Sequence, residues 1–412
     1  MKKIKYDLVL MGATGFTGKL VAEYLAQEYG AKNEKFVWAI AGRNRDKLIN
    51  LKRYLEQYDA EAKNLPILIA DSHDKRSLDD ITSVSRVIIS TVGPYLKYGK
   101  MLVESCAVNG TDYCDLTGEV PFIRESIDSF DQLAKNNNCR IIHSCGFDAI
   151  PSDIGVLMLQ KESIKKFGQP CDEIKLYVRS TRGGLSGGTI ESMINISSYI
   201  NSHPDLFSLL GNPYALNPNG QLPGGPDGSS LRSVKWDANM SLWTCPFIMS
   251  GINTRIVRRS NALTGFLYGD SFKYSEVYSF SKGFFGFMNS VSMLIGIACL
   301  KLAISFSPSL WLLRTFFLPS AGSGPSKENR ENGYFKVTLV GSTVNNKVRV
   351  TVTGDRDPGY AASARMLAES ALCMLLDRKS IPNISGVLTP AAGIGNILIS
   401  RLKDHGITFK IE

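Results

Sequence analysis

A chain of 412 residues is longer than one ordinary core supports, so two main domains are expected. Its 44% hydrophobic and 21% charged residues are those of a globular protein and exclude a disordered or fibrous one. The formal charge of +9 concentrates anions, but no basic run interleaved with aromatics and no zinc-finger or RNP-type pattern occurs, which sets nucleic acid aside as a partner.

The eight cysteines form no Cys-x-x-Cys pair, as fits a reducing compartment. The apolar run after the first lysines stops at Gly12, too short for a signal-peptide core, so a cytoplasmic location is expected. Tyr6–Met11 reads instead as a first strand, and Leu20, Val21, Tyr24 and Leu25 recur at helical spacing through 16–29. Residues 36–41, 65–70 and 86–91 are further buried-strand candidates. Residues 111–116 and 139–144 add a fifth and a sixth around a helix at 121–135. This alternation predicts an α/β fold with a doubly wound parallel sheet, a Rossmann domain, over residues 1–150.

After Pro151 the rhythm changes. A strand at 174–179, a glycine-rich turn at 183–188 and a helix from Thr189 to about Ile200 open a second α/β domain, with a mixed sheet, over 151–385. Residues 211–230 are dense in Pro, Gly and Asn and read as a surface loop. Residues 334–340 and 347–353 flank Asn345-Asn346 as a β-hairpin, a helix follows over 359–376, and the tail 386–412 reads as loop, helix and short strand.

In GATGFTG the first strand must turn sharply into a helix. Gly12 permits the turn, Gly15 lets the backbone approach a pyrophosphate, and Gly18 lets the helix pack on the strand; Thr14, Phe16 and Thr17 complete the loop. The phosphates of a dinucleotide then meet the positive helix end. The second strand ends in Gly42, Arg43, Asn44 with no carboxylate for ribose hydroxyls, and Arg43 is backed by Arg45 and Lys47, so the cofactor expected is NADP(H). Asp71 either receives the adenine amino group or caps the next helix. Thr91, Val92, Gly93 and Pro94 lie where such a sheet passes the nicotinamide, or only shape the turn.

Together GATGFTG, AGRN, STVGPY, YCDLTGE (113–119) and GFDAIPSD (146–153) resemble the saccharopine dehydrogenase-like oxidoreductases, and within them the branch of the trans-acting enoyl reductases. LPSAGSGPSKENRENGYF (318–335), GDRDPGYAASARM (354–366) and GVLTPAAGIGN (386–396) extend the resemblance over nearly the whole chain. It implies a substrate domain beside the Rossmann domain, a tail that folds back to the cofactor domain, and reduction by NADPH of a hydrophobic acyl or enoyl substrate, small or carrier-bound. Two alternatives stay open: an NADP(H)-binding, lipid-associated protein without turnover, and a saccharopine-type amino-acid enzyme, for which Arg179 and Arg182 are the candidate substrate ligands.

Enoyl reduction requires hydrogen-bond donors for the developing enolate and a proton for its α-carbon. Tyr95, Tyr98, Tyr113 and His143 are the candidate donors. Glu119, a cofactor-binding candidate, and Asp148 follow strands on the cofactor side, to act there, to fix the nicotinamide amide or to cap loops. The turn Ser186, Gly187, Gly188, Thr189 opens a helix and holds an anion or caps it. Cys145, two residues after His143, raises a covalent thiolate alternative. His73, His143, His203 and His405 are too far apart in sequence to suggest a metal site.

The apolar segment 284–318 begins with 17 uncharged residues, Phe284 to Leu300, the lower limit for a bilayer span. Gly283, Gly286, Asn289, Gly296 and Pro308 are expected to break it. It reads as a buried helical pair or the interface of a homodimer, or as helices that line an acyl site or meet a membrane surface.

Overall fold

The computed structural model describes residues 3–183, 187–203, 206–218, 227, 230–305, 308–311 and 324–412. They form two compact units. One comprises Met1–Ile150, Gly322–Gly324 and Gly359–His405; the other comprises Pro151–Ala321, Pro325–Pro358 and Gly406–Glu412.

The first unit is built on β1 (Tyr6–Met11), β2 (Trp38–Gly42), β3 (Ile67–Ile69), β4 (Ser85–Ser90), β5 (Asp112–Asp115) and β6 (Arg140–Ile142), joined by β13 (Gly386–Leu388) from the returning chain. The sheet order is β13-β6-β5-β4-β1-β2-β3, and every pairing is parallel. Leu8, Val9, Leu10, Ala39, Ile40, Ile88 and Ile89 are fully buried, because helices cover both faces of a parallel sheet; hence the unbroken apolar runs. The strand order reverses between β1 and β4, the crevice where such sheets bind nucleotides. The connecting helices are α1 (Phe16–Glu28), α2 (Arg45–Leu55), α3 (Lys75–Thr82), α4 (Tyr95–Tyr98), α5 (Lys100–Asn109) and α6 (Val120–Asn136).

The returning segment starts earlier than the tail expected to fold back. Helix Ala361–Leu376 already belongs to this unit, packing on α1 and β4, while Gly406–Glu412 belongs to the other. Its alanines, serines and sulfur side chains are buried on nearly every side, which demands cover all round. Glu369 anchors it, accepting 2.7 Å hydrogen bonds from the hydroxyls of Tyr24 and Tyr29 and pairing with Arg401 at 3.1 Å.

The second unit holds α7 (Ile150–Phe167), β7 (Glu173–Arg182), α8 (Gly187–Ser202), α9 (Leu206–Gly211), β8 (Lys235–Asp237), β9 (Leu242–Pro246), α10 (Ser250–Leu263), β10 (Lys273–Phe280), α11 (Phe284–Ser305), β11 (Tyr334–Ser342), β12 (Lys347–Gly354) and β14 (Ile407–Ile411). Its sheet runs β14-β12-β11-β7-β10-β9-β8 and is mixed, with β7 and β10 parallel and the other pairs antiparallel. Phe335, Val337 and Leu339 alternate inward on β11, as do Val348, Val350 and Val352 on β12. Gly155 lets α7 settle on them, since a Cβ there would lie 3.0 Å from Leu339. Part of the expected loop 211–230 lies outside the described residues.

The apolar segment departs from expectation. Gly286, Asn289 and Gly296 do not interrupt α11, a single helix of 22 residues, and it is no buried pair, for only Gly286, Ser290 and Ile297 are buried. Residues 312–318 lie outside the described residues.

Candidate cofactor and active site

Gly12 has φ +84°, a left-handed conformation that favours glycine, and a Cβ there would meet Val92 at 2.7 Å and Thr91 at 2.9 Å. Thr91 ties the two crossing loops together, its hydroxyl donating to the carbonyls of Met11 (3.2 Å) and Gly12 (3.1 Å). Thr14 and Gly15 are exposed at the loop crest. Gly15 begins α1 without a side-chain cap, so the protein leaves that positive end to an anion. Phe16 packs edge-on against Tyr360, ring centroids 4.8 Å apart, and Thr17 is half-buried.

At the end of β2, Arg43 is exposed, and among the described residues it has no carboxylate partner. Asn44 is a structural residue: its side chain accepts the Lys47 N–H at 2.9 Å and caps α2. Asp71 is not the cap of α3; Asp74 is. The Asp71 carboxylate instead accepts the His73 N–H at 3.0 Å in a tight turn. The fit to NADP(H) thus rests on a helix end without a side-chain cap, a glycine at the exposed loop crest and a cation where a ribose-binding acid would stand.

Beyond β4, Val92 is half-buried, Gly93 is exposed, and the Gly93-Pro94 peptide is cis. Glu119 is fully buried and committed to the fold, its two oxygens accepting the N–H groups of Tyr95 (3.0 Å) and Leu96 (2.8 Å) at the start of α4. The loop-capping alternative therefore describes it. Glu119→Ala would orphan both donors and is expected to lower stability by roughly 2–4 kcal/mol, read by urea unfolding.

Two expected proton donors are committed as well. The Tyr95 hydroxyl donates to the carbonyl of Ser90 (3.1 Å) and accepts the Leu116 N–H (3.3 Å); the buried Tyr113 hydroxyl donates to Asp115 (3.0 Å). Burial, with the Asp115 charge, holds both phenols well above their usual range, the wrong direction for an acid. Tyr98 lies edge-on to His73.

The hub of this region is Asp115, which the sequence reading passed over. Besides Tyr113 it takes His143 Nδ1 at 2.7 Å, the Thr117 N–H at 2.9 Å and the Ser144 N–H at 3.2 Å. These bonds hold Ser144 at φ +62°, an uncommon conformation for a residue with a side chain. His143 is fully buried, and its Nε2 has no hydrogen-bond partner among the described residues. Ser144 also breaks the strand alternation that would align Cys145 with His143. The Cys145 thiol is buried and turned toward the carbonyls of Ile142 (3.6 Å) and His143 (4.0 Å), which removes the case for a covalent nucleophile.

Asp148 differs from all of these. It is half-buried, and among the described residues its carboxyl makes no hydrogen bond or ion pair. Desolvation alone pushes it up to about 6. In the second unit Arg179 is half-buried and Arg182 exposed on β7; Gly187, Gly188 and Thr189 form the first turn of α8, and Ser186 lies outside the described residues.

Comparison with known proteins agrees with this geometry. The saccharopine dehydrogenase NADP binding domain matches residues 8–142. Over 416 residues the chain is 38% identical to a Mycobacterium tuberculosis protein provisionally named a trans-acting enoyl reductase, covering 98% of this chain and 97% of that one. It is 34% identical over 413 residues to the trans-acting enoyl reductase of Mycobacterium ulcerans, with the same coverage. Among solved structures, the apo saccharopine dehydrogenase (L-Glu forming) of Saccharomyces cerevisiae aligns with TM-score 0.54 at 14% identity, over 99% of this chain and 100% of that one, a likeness of fold.

Proposed function

The chain belongs to the family of the trans-acting enoyl reductases, with a saccharopine dehydrogenase NADP-binding domain, and we propose that it reduces the carbon–carbon double bond of a hydrophobic α,β-unsaturated acyl thioester. Bound NADPH supplies a hydride for the β-carbon and leaves as NADP+. The backbone at Gly15 and the start of α1 hold the pyrophosphate, Arg43 pairs with the 2′-phosphate, and the loop 91–94 borders the nicotinamide half. Asp148 holds the proton that passes to the α-carbon, which balances the hydride and completes the saturated thioester.

The observation that carries this reading is a carboxyl without partners among the described residues, raised by burial, in the unit that bears the dinucleotide loop. Following NADPH absorbance with a panel of enoyl thioesters of increasing chain length tests it: substrate-dependent oxidation is expected, rising with chain length. A second reading, retention of NADP(H) without turnover, draws on the commitment of Tyr95, Tyr113 and Glu119 to structural bonds. Tight NADPH binding with no oxidation across the panel would decide for it.

Arg43→Ala is expected to weaken NADPH binding roughly 10–100-fold, the worth of a charge-assisted pair, and to leave NADH unchanged. Equal affinities of the unmodified protein for the two nucleotides would refute the assignment of Arg43.

A further inference from the structure

Helix α11 is predominantly apolar and has no acidic residue, yet only 11% of its most apolar stretch is buried. Its buried residues are few: Gly286, Ser290 and Ile297 form a narrow seam, and the helix packs along β9, β10 and α8. At 3.6 residues per turn, Phe284, Met288, Ile295 and Leu302 fall on the line opposite that seam, and they are 71%, 45%, 57% and 71% exposed. An apolar helix surface of this extent requires cover that the described chain does not supply.

At its amino-terminal end the exposed face runs into an aromatic cluster. The Trp236 and Trp243 rings lie 5.3 Å apart, and Trp243 meets Phe287 at 4.9 Å. With Gly283 and Phe284 these residues line a shallow, open groove of about 490 Å³. Trp311, 64% exposed, stands just beyond the other end of the helix.

Charge selects the occupant. From Val277 to Lys327 the sequence has no Asp or Glu but carries Lys282, Lys301, Arg314 and Lys327. Lys282 and Lys301 are exposed near the two ends of α11, and among the described residues neither is in an ion pair. A second copy pairing through this face would bring its cationic ends against those of the first, and α11 itself carries no carboxylate to separate them. An anionic lipid surface accepts both the apolar face and the lysines, with aromatic residues at headgroup depth. The helix, about 33 Å long, has a span's length. A single crossing is excluded, because β10 before it and β11 after it both flank β7 in one sheet and so lie on one side.

We infer that α11 is an in-plane membrane-contacting element. Phe284, Met288, Ile295 and Leu302 enter the acyl chains of an anionic bilayer, Lys282 and Lys301 reach its phosphates, and the Trp236–Trp243–Phe287 cluster sits at the headgroups.

Flotation of the full chain with vesicles of phosphatidylcholine alone, and with added phosphatidylserine, tests this independently of turnover. Recovery with the anionic vesicles is expected, less with the neutral ones. Combining Met288→Glu, Ile295→Glu and Leu302→Glu, all exposed positions, should cut the bound fraction at least roughly tenfold, with NADPH affinity and thermal midpoint unchanged. Lys282→Glu with Lys301→Glu should abolish the anionic preference. No recovery with either vesicle, or recovery that the triple variant retains, overturns the inference. A concentration-dependent dimer that the triple variant abolishes, without vesicle binding, overturns it too and assigns the face to a second copy.

Discussion

Asp148→Asn is expected to lower kcat/KM for enoyl reduction by roughly 10²–10⁴-fold, the usual worth of a positioned general acid. NADPH affinity should be nearly unchanged, since the role assigned to Asp148 is toward the α-carbon of the substrate and not toward the pyrophosphate or the 2′-phosphate. Desolvation raises this carboxyl to about 6, so burial favours its protonated form. The acid is therefore fully present well below pH 6 and is lost as pH rises through that value. For the unmodified protein, kcat/KM should be level at low pH and fall roughly tenfold per pH unit well above 6. Asparagine cannot titrate, so the variant's residual activity should lack this limb. A purely structural role for Asp148 predicts lower activity with the limb intact. A variant with the limb intact would move the proton source elsewhere.

What the sequence revealed follows from local physics. The parallel strands were legible because cover on both faces imposes unbroken apolar runs, and the glycine loop because Gly12 and Gly18 answer backbone demands that other residues meet poorly. Asp115 was not legible: its partners come from positions 113, 117, 143 and 144, and nothing local marks one carboxylate as the hub that four donors share. Tyr95, Tyr113 and Glu119 carried chemical promise in their residue type alone, and only the fold revealed that backbone groups and Asp115 had already claimed them. In the second unit, polar residues in buried positions concealed the elements. Strand β10 carries Glu276 inside, held by Tyr274 at 2.7 Å and Asn253 at 2.9 Å, and α10 buries Arg258 and Arg259. Strand β13 has three residues and is defined by its pairing with β6, which no local pattern announces.

Gly18→Ala and Gly15→Ala should fail differently, because the two glycines meet different demands. A Cβ on Gly18 would lie 2.2 Å from the Gly12 carbonyl oxygen, 2.7 Å from Thr91 Oγ1 and 2.9 Å from Ala13 Cα. Two of these neighbours are backbone and cannot rotate aside. The loop cannot retreat either, since the Gly12 N–H is bound to the Ala41 carbonyl at 3.0 Å and Thr91 clamps the carbonyls of Met11 and Gly12. The start of α1 must therefore move by about 1 Å to restore ordinary contact, at an overpacking cost of roughly 1–3 kcal/mol. That same movement draws the helix end away from the pyrophosphate, and NADPH affinity should drop by roughly 10²-fold. A Cβ on Gly15 meets only the Gly12 oxygen, at 3.3 Å, and at φ −73° alanine is not strained. Gly15→Ala should therefore keep the thermal midpoint of the free protein and lose NADPH binding alone, because its methyl group occupies the space the phosphates approach. Thermal unfolding with and without NADPH, beside a direct titration, separates the two effects. Normal NADPH binding by Gly15→Ala would mean that the pyrophosphate does not lie against this loop crest.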